Sequence, residues 1–235
     1  MHSTVRDVMT RQVATVVRST PYKDIVRVLF EHRISAVPVL DEAGRVDGIV
    51  SEADLIEKEA LRADERREVR EPSARRPYRG YDRAHAVSAG TLMTSPAVTI
   101  TQGSGLGTAA RLMRKHAVKR LPVVDGVGRL VGIVSRADLL TPYLRLDIDI
   151  HNEIVREVLI RAMSVDQQAV EVRVRDGVVT LTGRVGNEYV ACDTAHLARE
   201  VDGVVEVVDR LTPSLRANPY RERSSLITPA PRSRR

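Results

Sequence analysis

The sequence predicts a mixed α/β (α+β) chain: two β-α-β-β-α repeats packed as a pseudo-two-fold pair, then a smaller α-β-β-α-β domain. Two observations predict it. Residues 8–56 slide onto residues 92–140 without a gap, with 17 identities in 49 positions. From about Asp147 the pattern changes to one helix, a hairpin, a second helix and a closing strand. A constant offset without insertions means one supersecondary unit written twice. One such unit buries too little core to stand alone, so the copies should pack together.

Each repeat parses in the same order. A strand at Val13–Val17 is matched by Ala97–Thr101. In the first copy Thr20 is the expected N-cap and Pro21 opens the helix. Ile25, Val28, Leu29 and His32 then recur at helical spacing, as do Leu106, Ala109, Ala110 and Met113. A second strand follows at Ala36–Leu40 or Arg120–Val124. A turn at Glu42–Arg45 contains Gly44, which supplies backbone freedom. The third strand runs from Val46 to Val50, and a last helix starts at Ser51, with a counterpart expected at Ser135. Charges after that helix start allow it to extend to about Val69, and from Pro72 the composition reads as loop.

The third piece has its own signals. Ile150, Ile154, Val158 and Leu159 form a helical stripe. Val170, Val172 and Val174 alternate along one strand, and Val179 and Leu181 along the next. Asp176-Gly177 between them marks a tight hairpin. The expected boundaries are 1–56 and 89–146 for the repeats, 57–88 for a charged helix extension and linker, 147–213 for the third domain, and 214–235 for a basic disordered tail.

Composition narrows the class. Aromatics are 3% of the 235 residues, so cores are built from Val, Leu, Ile and Ala. The single cysteine, Cys192, excludes an intrachain disulfide and any multi-cysteine metal site. No apolar run approaches a membrane span, and the charged N-terminal stretch has no signal-peptide core, so a cytoplasmic location is expected. The net charge is +6, concentrated in the second repeat and the tail. A nucleic-acid reader would show a basic stripe with interleaved aromatics, so that function is disfavoured. The six histidines do not cluster, and no catalytic triad, carboxylate pair or phosphate-binding loop is present, so no catalytic residue, metal or required cofactor is expected.

The repeated stretch Gly48–Asp54, matched by Gly132–Asp138, carries two readings. Ser51 with Asp54, and Ser135 with Asp138, have capping-box spacing. A helix N-terminus is also an anion site, where the Ser hydroxyl meets phosphate and the Asp accepts ribose hydroxyls. Gly48 and Gly132 would then permit close approach by a ligand. The neighbouring strand differs between copies: Ser35-Ala36 in one is Lys119-Arg120 in the other. The two cations are either surface charges or phosphate partners.

Residues 5–56 and 89–141 resemble a tandem pair of CBS domains (a Bateman module), on Met9-Thr10, Met93-Thr94, Val37-Pro38-Val39, Leu121-Pro122-Val123 and the two Gly-Ile-Val-Ser-x-Ala-Asp segments. Residues from about 148 to 213 resemble a BON domain, carried by the segments at 174–185 and 201–211 with Gly177, Gly183 and Gly203. The first resemblance implies a non-enzymatic regulatory protein that binds an adenosyl nucleotide, with or without Mg²⁺, in clefts between the repeats. One cleft would use Thr10, Thr15, Ser35, Ala36, Lys119, Arg120, Ser135 and Asp138, and this cleft is expected to hold the ligand. The other would use Ser51, Asp54, Thr94 and Thr99. The threonines fit strand propensity equally well. The resemblance also implies a homodimer through the repeat pair, and contact of the BON-like domain with a membrane or protein partner. The alternative is a structural dimerisation protein with vestigial clefts. A weaker one is nucleic-acid or anionic-membrane binding.

Overall fold

Two compact units make up the computed structural model: Ser3–Thr141, and a second that starts at Pro142. The structure describes residues 3–70 and 86–214. The loop expected from Pro72 and the tail expected after residue 214 lie outside the described residues.

The first repeat contributes α1 (Val5–Val8), β1 (Val16–Val17), α2 (Tyr22–Glu31), β2 (Ala36–Leu40), β3 (Val46–Ser51) and α3 (Glu52–Arg70). The second contributes α4 (Ala89–Leu92), β4 (Ile100–Thr101), α5 (Leu106–Lys115), β5 (Arg120–Val124), β6 (Leu130–Ser135) and a 3-10 segment (Asp138–Leu144). Each repeat holds a three-stranded sheet in chain order, parallel across its first pair and antiparallel across its second. Ile25 and Leu29 in α2, and Ala109 and Met113 in α5, are buried against these sheets. His32 and Ala110, expected on the same faces, are exposed.

The repeats exchange their leading segments. Val5 belongs to the core of the second repeat, whereas Ala89 and Leu92 belong to the core of the first. The backbone repeats the exchange symmetrically. Thr10 and Ile133 exchange both N–H···O bonds, and so do Thr94 and Ile49. Val5 N–H donates to Ser104 O, and Ala89 N–H to Thr20 O. The turns meet as well: Val46 N–H donates to Gly128 O and Leu130 N–H to Gly44 O. This is the pseudo-two-fold arrangement that the gap-free repeat predicts.

Four local expectations are corrected. The first strand of each repeat is two residues, not five, because the preceding residues cross from one repeat to the other and cannot pair along β2 or β5. Pro21, not Thr20, is the N-cap of α2. The Thr20 hydroxyl instead accepts from Val17 N–H at 3.1 Å, closing a turn. The last helix of the second repeat is replaced by the 3-10 segment, which contains Pro142. A proline there removes one helical hydrogen bond and clashes with the preceding turn. Lastly, the glycines Gly48 and Gly132 face protein rather than open space. A Cβ on Gly48 would meet Met93 Sδ at 2.5 Å and Thr94 O at 2.9 Å. On Gly132 it would meet Met9 Sδ at 2.7 Å and Thr10 O at 3.0 Å. Close approach is needed, but by the exchanged Met-Thr segment.

The second unit begins with α6 (Asp147–Glu153), which runs into a π-helical stretch (Ile154–Ala162). Strands β7 (Val170–Arg175) and β8 (Val178–Val185) form the hairpin, α7 (Glu188–Arg199) crosses over, and β9 (Glu206–Pro213) pairs with β8 in parallel. The whole expected stripe, Ile150, Ile154, Val158 and Leu159, is buried with Val170, Val172, Val179 and Leu181. Asp176 and Gly177 take φ of 51° and 75°, as a type I′ turn requires. Asp147 fixes this turn, its carboxylate accepting from Asp176 N–H at 2.8 Å and Gly177 N–H at 2.9 Å.

Candidate functional site

Ser51 ends β3 and Asp54 lies in the first turn of α3, so the strand delivers both to one corner. Ser51 N–H and Oγ–H donate to the same Asp54 oxygen at 2.8 and 2.7 Å. Ser135 and Asp138 repeat this at 2.7 and 2.8 Å. The carboxylate half of a capping box is therefore present in both copies, and in the second the Ser135 hydroxyl also accepts from Asp138 N–H at 3.4 Å. It holds each carboxylate in place and leaves its second oxygen for another donor. In the first copy that oxygen, Asp54 Oδ1, accepts from Thr94 Oγ1 at 3.3 Å.

A cavity of about 290 Å³ opens at this corner. Ser35, Ala36, Ser51, Asp54 and Thr94 line it together with Lys119 and Arg120, and Ile49 and Val118 give apolar wall; Ala36 and Ser51 are paired neighbours across β2 and β3. Strand β5 brings the cations here because Arg120 is its first residue and Lys119 the residue before it. Arg120 donates from its guanidinium to Ser35 Oγ, so equivalent ends of the two repeats touch. Lys119 is exposed, and its side chain has no ion-pair or hydrogen-bond partner among the described residues, although its carbonyl accepts from Arg136 N–H at 3.1 Å. The arrangement offers acceptors for hydroxyl groups and cations for an anion about one cavity.

The cavity redistributes the expected residues. Lys119, Arg120, Ser35 and Ala36 line it with Ser51, Asp54 and Thr94, while the Arg120 backbone also pairs with Ser135 across β5 and β6. Ser35 and Ala36 reach it because Ala36 pairs with Ser51 across β2 and β3, and Arg120 reaches it through its bond to Ser35. Thr10 bonds to Ile133, two residues before Ser135, as Thr94 bonds to Ile49 two residues before Ser51. Thr10, Ser135 and Asp138 thus form the equivalent corner, although no Thr10–Asp138 hydrogen bond occurs among the described residues. Thr15 and Thr99 line neither side of the 290 Å³ cavity. Sequence reasoning missed Glu52, which also lines it. Its signal was visible: position 52 and its mate Arg136 are the one letter that differs between the two seven-residue segments.

A neighbouring cavity of about 570 Å³ shares Ser35, Glu52 and Arg120 with the first. Its other walls are Val26, Leu29, Phe30, Ile34, Leu55 and Arg33. In the second unit, a cavity of about 400 Å³ includes Arg145 and Asp147. Those charges are engaged internally: Arg145 donates to Asp202 O at 2.8 Å and to Glu153 at 2.7 Å, and Asp147 holds the hairpin turn. Among the described residues, no group of three or more His, Cys, Asp or Glu side chains could hold a metal ion. No helix among them is long and apolar enough to cross a membrane.

The CBS domain model matches residues 5–60 and 89–144. The CBS domain-containing protein YhcV of Bacillus subtilis is 31% identical over 137 residues, 58% of this chain and 83% of that one. The chain belongs to the CBS-domain family. The CBS pair is followed by a BON domain, whose model matches residues 149–212. The homoserine O-acetyltransferase of Methanococcoides burtonii is 28% identical over 138 residues, which is 59% of this chain but only 24% of that enzyme. Among solved structures, CBSX2 in complex with AMP is 30% identical and covers 60% of this chain and 96% of that one, with a TM-score of 0.47. CBSX2 is an Arabidopsis thaliana protein.

Proposed function

We propose that this is a non-enzymatic regulatory protein of the cytoplasm, whose CBS pair binds an adenosine nucleotide, with or without Mg²⁺, and relays occupancy to the BON domain or a partner. The observation that carries the reading is the cavity that joins Ser51, Asp54 and Thr94 to Lys119 and Arg120. Hydroxyl acceptors and two cations about one small cleft suit ribose and phosphate together. The reading moves the ligand from the Asp138 corner to the Asp54 corner. Ligands that bind only the native state raise its melting temperature. AMP, ADP or ATP should therefore raise Tm of the full chain. Asp54→Ala and Arg120→Ala should reduce that rise, and Asp138→Ala should leave most of it. No rise with any of the three at millimolar concentration sinks the reading.

A relay needs an element that both the ligand and the responding surface touch. Ser35, Glu52 and Arg120 supply one, since they wall both cavities, and Phe30 in the second is 84% exposed. The chain has no Trp, so Phe30→Trp would report on that wall alone. Homodimerisation through the CBS pair and contact of the BON domain with a membrane or protein belong to the same proposal. The second reading, a structural dimerisation protein, is favoured by the capping bonds, which give both Ser-Asp pairs a purely structural task. It predicts the Tm loss of a cap in the Asp54 variant and no nucleotide effect to lose.

A further inference from the structure

We infer that the Asp54 cleft selects nucleosides bearing a single phosphate over those bearing a phosphate chain, and that Glu52 sets this limit. The inference rests on the nucleotide reading above and concerns which nucleotide the same site takes.

The charges decide it. Lys119 and Arg120 are the two cations on the cleft wall, a match for one dianionic phosphate. Glu52 and Asp54 line the same cleft, so its fixed side-chain charge is balanced before any ligand enters. Asp54 accepts from Ser51 and Thr94 and keeps lone pairs for a ribose hydroxyl. Glu52 is exposed and has no ion-pair partner among the described residues, so its charge is not neutralised by Lys119 or Arg120.

Geometry adds a second restriction. Arg120 stands on the wall shared with the 570 Å³ cavity. A phosphate held by Arg120 therefore lies at the sill between the cavities, and anything attached beyond it can extend into the second. There, Val26, Leu29, Phe30, Ile34 and Leu55 give apolar wall, with Arg33, Glu52 and Arg120 as the charged groups. Once the first phosphate engages Arg120, Arg33 and Glu52 cancel. A second phosphate would give up its hydration for an apolar wall with no net positive charge, which is unfavourable. The alternative is that Arg33 draws a longer phosphate chain across the sill. The two alternatives predict opposite orders of affinity.

Isothermal titration calorimetry of the full chain with AMP, ADP and ATP, without divalent cations, separates them. AMP is expected to bind about tenfold more tightly than ATP, with ADP between. Glu52→Gln, which keeps the size of the side chain, is expected to narrow that gap while AMP affinity holds or rises. Circular dichroism melting confirms that the variant is folded. ATP binding as tightly as AMP or more tightly overturns the inference, as does a gap that Glu52→Gln leaves unchanged, and in either case the nucleotide reading stands. If none of the three binds, both fall.

Discussion

At Gly48 and Gly132 a missing side chain is what lets the two repeats interlock. Each backbone lies against the Met-Thr segment of the other copy, and Thr94 O or Thr10 O would stand about 3 Å from an added Cβ. Gly48→Ala must push backbone as well as the Met93 thioether, so a loss of about 1–3 kcal/mol is expected, as for overpacked cores. Urea unfolding measures it, and an unchanged midpoint would mean that the segments part freely. Asp41 and Asp125 occupy matching turns. Their carboxyls are held below the usual carboxylate range, first by the backbone N–H of Arg45 and of Arg129 respectively. A lowered folded pKa gives stability that is present above the ordinary carboxylate value and lost as pH falls through the folded one. Asp41→Asn with Asp125→Asn should therefore lower Tm at pH 7 and flatten its decline in acid, as read from melting curves between pH 7 and pH 3.

Among elements, the two repeats diverge most at their ends. The helix α3 continues for 19 residues, whereas its counterpart is a 3-10 segment of 7 residues. Both begin with the same Ser-x-x-Asp signal, and the residues that follow decide the outcome: Pro142 interrupts the second, while the first meets only helix-compatible residues. In the BON domain, α7 has the most explicit start signal, with Asn187 Oδ1 accepting from Val190 N–H at 3.0 Å. Asn187→Ala should cost about 1 kcal/mol, as loss of an N-cap side chain does. Hydrogen exchange within Glu188–Arg199 reads this locally, and unchanged protection there would contradict it.

For the molecule as a whole, the exchanged leading segments join the two repeats into one compact unit. Val5 is fully buried beside Ile100, Leu121 and Val123, far along the chain from its own repeat's sheet. Val5→Ala should thus loosen the second repeat, by about 1–3 kcal/mol for a core truncation. Its signature is faster amide exchange at Leu121, Val123 and Val134, with Val37, Val39 and Val50 less affected. The opposite pattern would place the N-terminal segment on its own repeat. The same interlock positions the cleft, because it turns Ser51 and Asp54 of one repeat toward Lys119 and Arg120 of the other.

The sequence by itself determined the repeat, its strand order, the hairpin at Asp176-Gly177, the buried stripe from Ile150 to Leu159, and the residue types gathered in the cleft. These are local or periodic: a period of 2 or 3.6, a cap, a turn residue, a constant offset. Only the tertiary structure decided which residues face one another. Alignment of the copies shows that position 120 corresponds to 36, but not that the Arg120 side chain reaches Ser35 of the other repeat. It shows that Gly48 is repeated, but not that Met93 presses on it. Both follow from the segment exchange, a long-range pairing that leaves no period in the chain. For the same reason Lys119 and Arg120 line one cavity with Asp54, and so does Glu52, the odd letter in an otherwise repeated phrase.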